Sequence, residues 1–195
     1  MTDPTTEWWE SPAVGGFRGV AARFIGLVRD REKYTPPELL HLVHPLLAEL
    51  YAAGYALPEK PAEAYGEDDD DDDATSPPSD PVALEAHSAR WRLICFGLSK
   101  QIGARWNSYQ EVFDPYADPP ELPVTGSLSD DLADILLDLE DGEMLWERGD
   151  FDSAVWEWRF GFESHWGEHV TGALRAIRTL AAVHDLGFPP RAPDV

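Results

Sequence analysis

Cysteine, lysine and long apolar runs are what this chain of 195 residues has least of. Its one cysteine, Cys95, excludes an internal disulfide framework, so nothing points to an oxidising compartment. Basic residues number 15 against 37 acidic ones, giving a formal charge of −22 at pH 7. That balance excludes direct nucleic-acid binding through phosphates, which needs clustered Lys and Arg. Only 3 of the 15 basic residues are Lys, a codon bias that points to a high-GC bacterial source. Every apolar stretch is broken by charge before the ~20 residues that a bilayer requires. The acidic start, Met1 to Pro12, lacks the pattern of a leader, so the expected location is cytoplasmic, with no membrane contact. Gly-rich phosphate loops, Cys-x-x-Cys pairs, Gly-x-Ser-x-Gly elbows and His-Glu-x-x-His pairs are also missing.

What is present suits a folded core. Apolar residues make up 43% of the chain and aromatics 11%, with eight Trp, enough to fill one domain. Residues 60–81 stand apart: they carry the run Glu67 to Asp73, several prolines and almost nothing apolar. The composition predicts a disordered acidic linker. It holds −8 of the −22, leaving −14 on the remainder, so the folded part is acidic in its own right. The expected organisation is a helical pair in residues 1–59, the linker, and three more helices of the same domain in residues 82–195.

The first helix, Val14 to Asp30, repeats Phe17, Val20, Ala21, Phe24 and Val28 at steps of three and four. The second opens on Thr35, Pro36 and Glu38, a capping box with proline where its missing N–H costs nothing. Pro45 should bend it. Pro81 to Ile102 gives a third helix with Cys95 on the buried stripe, where it reads as a small hydrophobe. Asn107 to Gly126 reads as a long loop that Tyr109, Phe113 and Tyr116 tuck onto the helices. A fourth helix, capped by Ser127 or Ser129, runs to about Arg148, and a fifth, Ser153 to His184, is the longest. The fold predicted is an all-α, five-helix, up-and-down-like bundle with the C-terminal helix central.

At about 100° per residue, Trp156, Phe160, Glu163 and Gly167 line one face of that last helix. Trp158, Trp166 and His169 fall in an adjoining apolar sector, with His165 at its edge. Glu157 lies on the narrow solvent strip. A buried Glu163 needs a partner, and Arg159 one turn earlier supplies it. Asp131, Asp134 and Asp138 form a ridge on the fourth helix that could face His165 and His169. Imidazoles four apart beside carboxylates suit a divalent transition metal, giving the candidate ligand set Asp131, Asp134, Asp138, Glu163, His165 and His169. Against this, histidines among tryptophans are more often hydrogen-bonded core residues than ligands. Two motif matches fail on context. Asp130, Asp131 and Asp134 spell the diphosphate motif of isoprenoid synthases without its second acidic partner. Glu140, Glu143, Glu147 and Asp150 echo all-α nucleotide pyrophosphohydrolases but sit on one short segment.

The segments Tyr109 to Pro115 (YQEVFDP), Pro123 to Asp134 (PVTGSLSDDLAD) and Ala154 to His169 (AVWEWRFGFESHWGEH) together resemble a bacterial family of small proteins catalogued only as a domain of unknown function. The resemblance implies a compact helical fold and no assigned catalytic residue or cofactor. Its recurrent positions correspond here to Trp156, Glu157, Trp158, Arg159, Phe160, Glu163, His165, Trp166 and His169. It also implies a setting near genes of recombinational repair in high-GC bacteria. The functional expectation is a non-enzymatic, acidic helical protein that binds a basic partner protein, with Trp156, Trp158, Arg159, Phe160 and Trp166 as structural or interaction residues. The alternative is a metal-binding hydrolase or sensor with an Asp/Glu/His site between helices four and five. The Trp-rich sector makes a homodimer a further expectation.

Overall fold

The computed structural model describes residues 7–61, 81–112 and 114–188. The acidic run, from residue 62 to residue 80, and Phe113 lie outside the described residues. The described chain is mostly helical: α1 (Pro12–Arg29), α2 (Pro36–Tyr55), α3 (Pro81–Ile102), a single turn α4 (Ala104–Asn107), α5 (Leu128–Glu147), α6 (Phe151–Ser164) and α7 (Trp166–Val183). Two four-residue strands, β1 (Ser108–Glu111) and β2 (Val124–Ser127), join α4 to α5. None of the described helices is long and apolar enough to cross a membrane.

Local chemistry sets most boundaries. The Ser11 hydroxyl accepts from the Val14 amide at the start of α1. At α2 the Glu38 carboxylate accepts from the Thr35 amide (2.8 Å) and hydroxyl (2.7 Å), completing the capping box. The helix continues through Pro45 to Tyr55. Ser127 caps α5, accepting from the Asp130 amide, while Ser129 is buried against Asn107.

Three expectations are corrected. The expected loop over residues 107–126 contains an antiparallel hairpin that pairs Ser108 with Ser127 and Glu111 with Val124. Its strands are too short to show a period of two, and Tyr116 lies outside the packing altogether, 93% exposed. The expected fifth helix is two, because the backbone leaves helical geometry at His165, with φ −149° and ψ −84°. Finally, the central helix is α5. It packs against α1, α3, α6 and α7, and buried residues cover most of its circumference, from Leu128 to Gly142. The α6–α7 pair runs antiparallel along α5, with Phe151 against Trp146 at one end and His169 against Asp131 at the other.

The break at His165 redistributes the faces predicted for one helix. Trp158 and Trp166 are fully buried, each with its indole N–H satisfied: Trp158 donates to the Leu139 carbonyl (3.2 Å) and Trp166 to the Trp158 carbonyl (3.1 Å). Trp156 and Phe160 stack on each other, with rings 4.9 Å apart at 5°, on the outer side of α6. Glu163, expected in the core, is exposed, and Glu157, expected in solvent, is half-buried. One continuous core joins side chains from Val14 to Leu186. At its margin Glu143 takes Arg18 in a bidentate pair (2.9 and 3.0 Å), and Glu140 holds Arg29 and Arg90. These two glutamates therefore tie α5 to its neighbours and do not point away from the fold.

Candidate functional site

The ridge and the two histidines do meet. His169 on α7 brings Nδ1 to 3.1 Å from Asp131 and Nε2 to 3.7 Å from Asp134. His165, at the α6–α7 break, sits 2.7 Å from Asp138 through its Nδ1. The two imidazole rings stand edge to face, 4.9 Å apart. Behind them, the Tyr109 hydroxyl on β1 donates to Asp131 (2.9 Å) and lies 3.2 Å from Glu111, which in turn takes Arg175 at 3.1 Å. Hairpin, α5 and α7 are thereby stitched by one polar network, in which buried Asp131 has two partners.

Glu163 is absent from this cluster. It pairs with Arg159, as the one-turn spacing predicts, on the side of α6 facing α2. Arg159 also donates to the carbonyls of Tyr55 (3.0 Å) and Leu57 (3.2 Å), so it closes the C-terminal end of α2. The six-residue metal set is thus divided, five on one side and Glu163 on another. Among the described residues, no group of three or more His, Cys, Asp or Glu side chains is placed to hold a metal ion. The carboxylates and imidazoles close on one another as hydrogen-bonded pairs.

Electrostatically the groups of the cluster bind protons more readily than in water. The Asp138 hydrogen bond raises His165 above its ordinary value despite partial burial. Burial works against protonated His169, and Asp131, Asp134 and Asp130 outweigh it, so His169 is raised too. Burial pushes the Asp134 carboxyl up to about 6, with Asp130 and Asp138 adding repulsion. Glu157, across from Asp138 and Asp141, is also raised by burial and by those charges.

All four shifts have the same sign for stability. The stability that His165 and His169 supply is fully present below the ordinary histidine value of ~6.5 and is lost as pH rises through their higher folded values. Asp134 and Glu157 bind protons more readily folded than unfolded, so they too favour the folded state on the acid side. The chain should therefore melt at higher temperature at pH 6 than at pH 8, by an amount on the order of a few °C. A His165→Gln, His169→Gln double variant should flatten the profile above pH 6.5. Equal melting temperatures at pH 6 and 8 in the parent chain would refute this account.

Sequence reasoning placed the ridge and both histidines but missed Glu111, Tyr109 and Glu157 as members. Tyr109 was legible as an aromatic anchoring the loop. Its role as a hydrogen-bond donor to Asp131 depends on the hairpin, and Glu157, which the helical period puts on the solvent strip, is half-buried in the fold.

The fold and this network define a class: a helical protein built around one buried helix, with a small hairpin bracing an Asp/His cluster. The chain belongs to the family described as a domain of unknown function (DUF5063), whose model matches residues 10–183. Among solved structures it is similar to protein BF1032 from Bacteroides fragilis, with a TM-score of 0.67 at 18% sequence identity, over 92% of this chain and 98% of that one. At that identity the likeness shows the fold alone. No curated protein matches.

Proposed function

We propose that this protein is a non-enzymatic interaction protein whose acidic helical surface binds a basic partner protein, in the cytoplasm. The observation that carries this reading is the row Asp130, Asp134, Asp138 and Asp141 along one side of α5. Spacings of four, four and three keep these residues on one helical face. All four are half-buried between α3 and the α6–α7 pair, and Glu157 faces the lower part of the row. Cations opposite them are few. Arg90 takes Asp141 (2.7 Å) but is shared with Glu140, His87 lies 3.9 Å from Asp141, and His165 and His169 engage Asp131, Asp134 and Asp138. Asp134 and Glu157 are raised chiefly by burial, with neighbouring carboxylates adding to it and the histidines offsetting it only in part at Asp134, which leaves an excess of acidic groups along the row. Lys or Arg from a partner would relieve that excess, and the field of the row would speed encounter while making it salt-sensitive. A partner that itself grips nucleic acid would meet this surface as an acidic competitor, in keeping with the setting that the family resemblance implies.

The reading predicts that purified chain captures a stoichiometric basic protein from native lysate at low salt and releases it at moderate salt. An Asp130→Asn, Asp134→Asn variant should retain much less of it. Retention of the same protein by both forms at both salt levels, or no stoichiometric capture at all, would remove the basis for the proposal. Light scattering of the purified chain tests the homodimer separately. Trp158 and Trp166 are spent on the internal core, which leaves Trp156 with Phe160 as the aromatic pair that a second copy could cover.

A further inference from the structure

Beside the acidic row, on its α3 flank, lies an open groove of about 660 Å³ lined by Trp91, Arg92, Leu93, Cys95, Phe96 and Ser99 of α3 and by Ser129 of α5. Its surface is chiefly apolar, and two large side chains on it stand in solvent: Leu93 is 73% exposed and Phe96 66%. Large apolar side chains this exposed, adjacent on one helix face, mark a surface that something covers.

The charges at the groove are asymmetric. Past Ser129 on α5 stand Asp130 and, one turn on, Asp134, both outside the lining itself and near enough to add to the rise that burial imposes on the Cys95 thiol. The α3 side carries Arg92, already paired with Glu85 at 3.0 Å, and Lys100, whose ammonium sits 5.8 Å from the Phe96 ring centre. An occupant therefore meets an apolar floor, an acidic rim beyond Ser129 on α5 and, on α3, Arg92 with its charge already met by Glu85.

The walls also fix the occupant's backbone. Both are helices, whose own hydrogen bonds are internal, so they offer no strand edge. An extended segment would bury its amides and carbonyls without partners here, whereas a helix brings its own bonds with it. Trp91, Cys95 and Ser99 form one row at steps of four, and Arg92 and Phe96 a second, so the lining runs for a little over two turns. That length accommodates an apolar row at i, i+3 or i+4 and i+7 of an incoming helix.

We propose that this groove seats an amphipathic helix of the basic partner, its apolar row on Trp91, Cys95 and Phe96 and its Lys/Arg flank on Asp130 and Asp134. The inference rests on the basic-partner reading above and adds where the partner binds and in what conformation.

Cys95 is the only thiol of the chain and lines the groove, so occupancy can be read from its rate of alkylation. The probe is a designed Leu/Lys helix of about five turns, titrated into the full chain with iodoacetamide. Two control peptides are used: one of the same composition scrambled to destroy the apolar row, and one with Glu for Lys. The basic helix should protect Cys95 at low salt, and neither control should. Leu93→Ser with Phe96→Ser removes only exposed side chains, so the fold remains, and the midpoint of protection should move to about tenfold higher peptide concentration, as loss of an interface anchor does. Asp130→Asn with Asp134→Asn should weaken binding and blunt its salt dependence.

If scrambled and helical peptides protect alike, or if Leu93→Ser with Phe96→Ser leaves the midpoint unchanged, the groove assignment is wrong. Salt-dependent peptide binding lost in the Asp variant would then keep the basic-partner reading standing by itself. Absence of binding by any Lys peptide at low salt overturns both. Self-association of the chain that the Leu93, Phe96 variant abolishes would assign the groove to a second copy and overturn the proposal.

Discussion

Gly142→Ala is expected to lower the stability of this protein by about 2–3 kcal/mol, the upper part of the range for overpacking a core. A Cβ at this position in α5 would lie 2.1 Å from the Trp158 indole nitrogen and 2.5 to 2.6 Å from two ring carbons. The indole cannot retreat. It is fully buried, packed against Phe17 at 5.2 Å and Trp146 at 5.9 Å, and tethered through its N–H to the Leu139 carbonyl. In a Trp158→Ala background, which itself should cost about 3–5 kcal/mol, the sign reverses. The cavity then admits the methyl group, and alanine's helical preference over glycine contributes about 1 kcal/mol of stabilisation. Urea unfolding of the four proteins of this cycle measures the coupling. An equal cost of Gly142→Ala in both backgrounds would show that the glycine answers to something other than the indole.

Gly167→Ala should be at least as damaging, about 3 kcal/mol, because the obstacle is backbone. A Cβ there falls 2.1 Å from the Phe162 carbonyl oxygen, across the break between α6 and α7. Relief requires the break to open, which would pull Trp166 away from the Trp158 carbonyl and from its contacts with Phe17 and Phe162. A changed tryptophan emission spectrum should accompany the loss of stability. Gly16→Ala in α1 provides the contrast: nothing lies within 4 Å of a Cβ there, so the substitution should stabilise by up to about 1 kcal/mol. Wild-type stability and emission in the Gly167 variant would mean that the Phe162 carbonyl yields to a Cβ at little cost, and that the close approach does not require glycine.

The glycine pair shows why part of the fold was readable in advance and part was not. Periodicity located α1, α2, α3 and α5 because each exposes or buries faces according to its own neighbours at three and four residues. Between residues 153 and 184 the same periodicity runs on without interruption, and it predicts one helix. At the break the Phe162 carbonyl comes so close to Gly167 that a Cβ would meet it at 2.1 Å, an approach that no hydropathy pattern records. Glu157 and Glu163, both on α6, also exchange their expected places: Glu157 is half-buried and Glu163 exposed.

The candidate site divides along the same line. Asp131, Asp134 and Asp138 share a helical ridge by spacing alone, and His165 and His169 are one turn apart, so both rows were fixed by the chain's own period. That they face each other follows from α6 and α7 running antiparallel along α5. That His165 pairs with Asp138 and His169 with Asp131 is a matter of tertiary placement, and the Tyr109 hydroxyl that joins Asp131 comes from a hairpin whose four-residue strands are too short to announce themselves.

By itself, the sequence determined the helical character of this protein, its caps, its shortage of cations and the family to which it belongs. These are properties of composition and of short-range spacing. Only the tertiary structure decided which helix is central, where the last helix breaks, and which carboxylates line the row on α5 beside an apolar groove. Each of those depends on surfaces from distant segments being packed together, and the free energy of that packing is set by shape and by the removal of water, which no single segment carries.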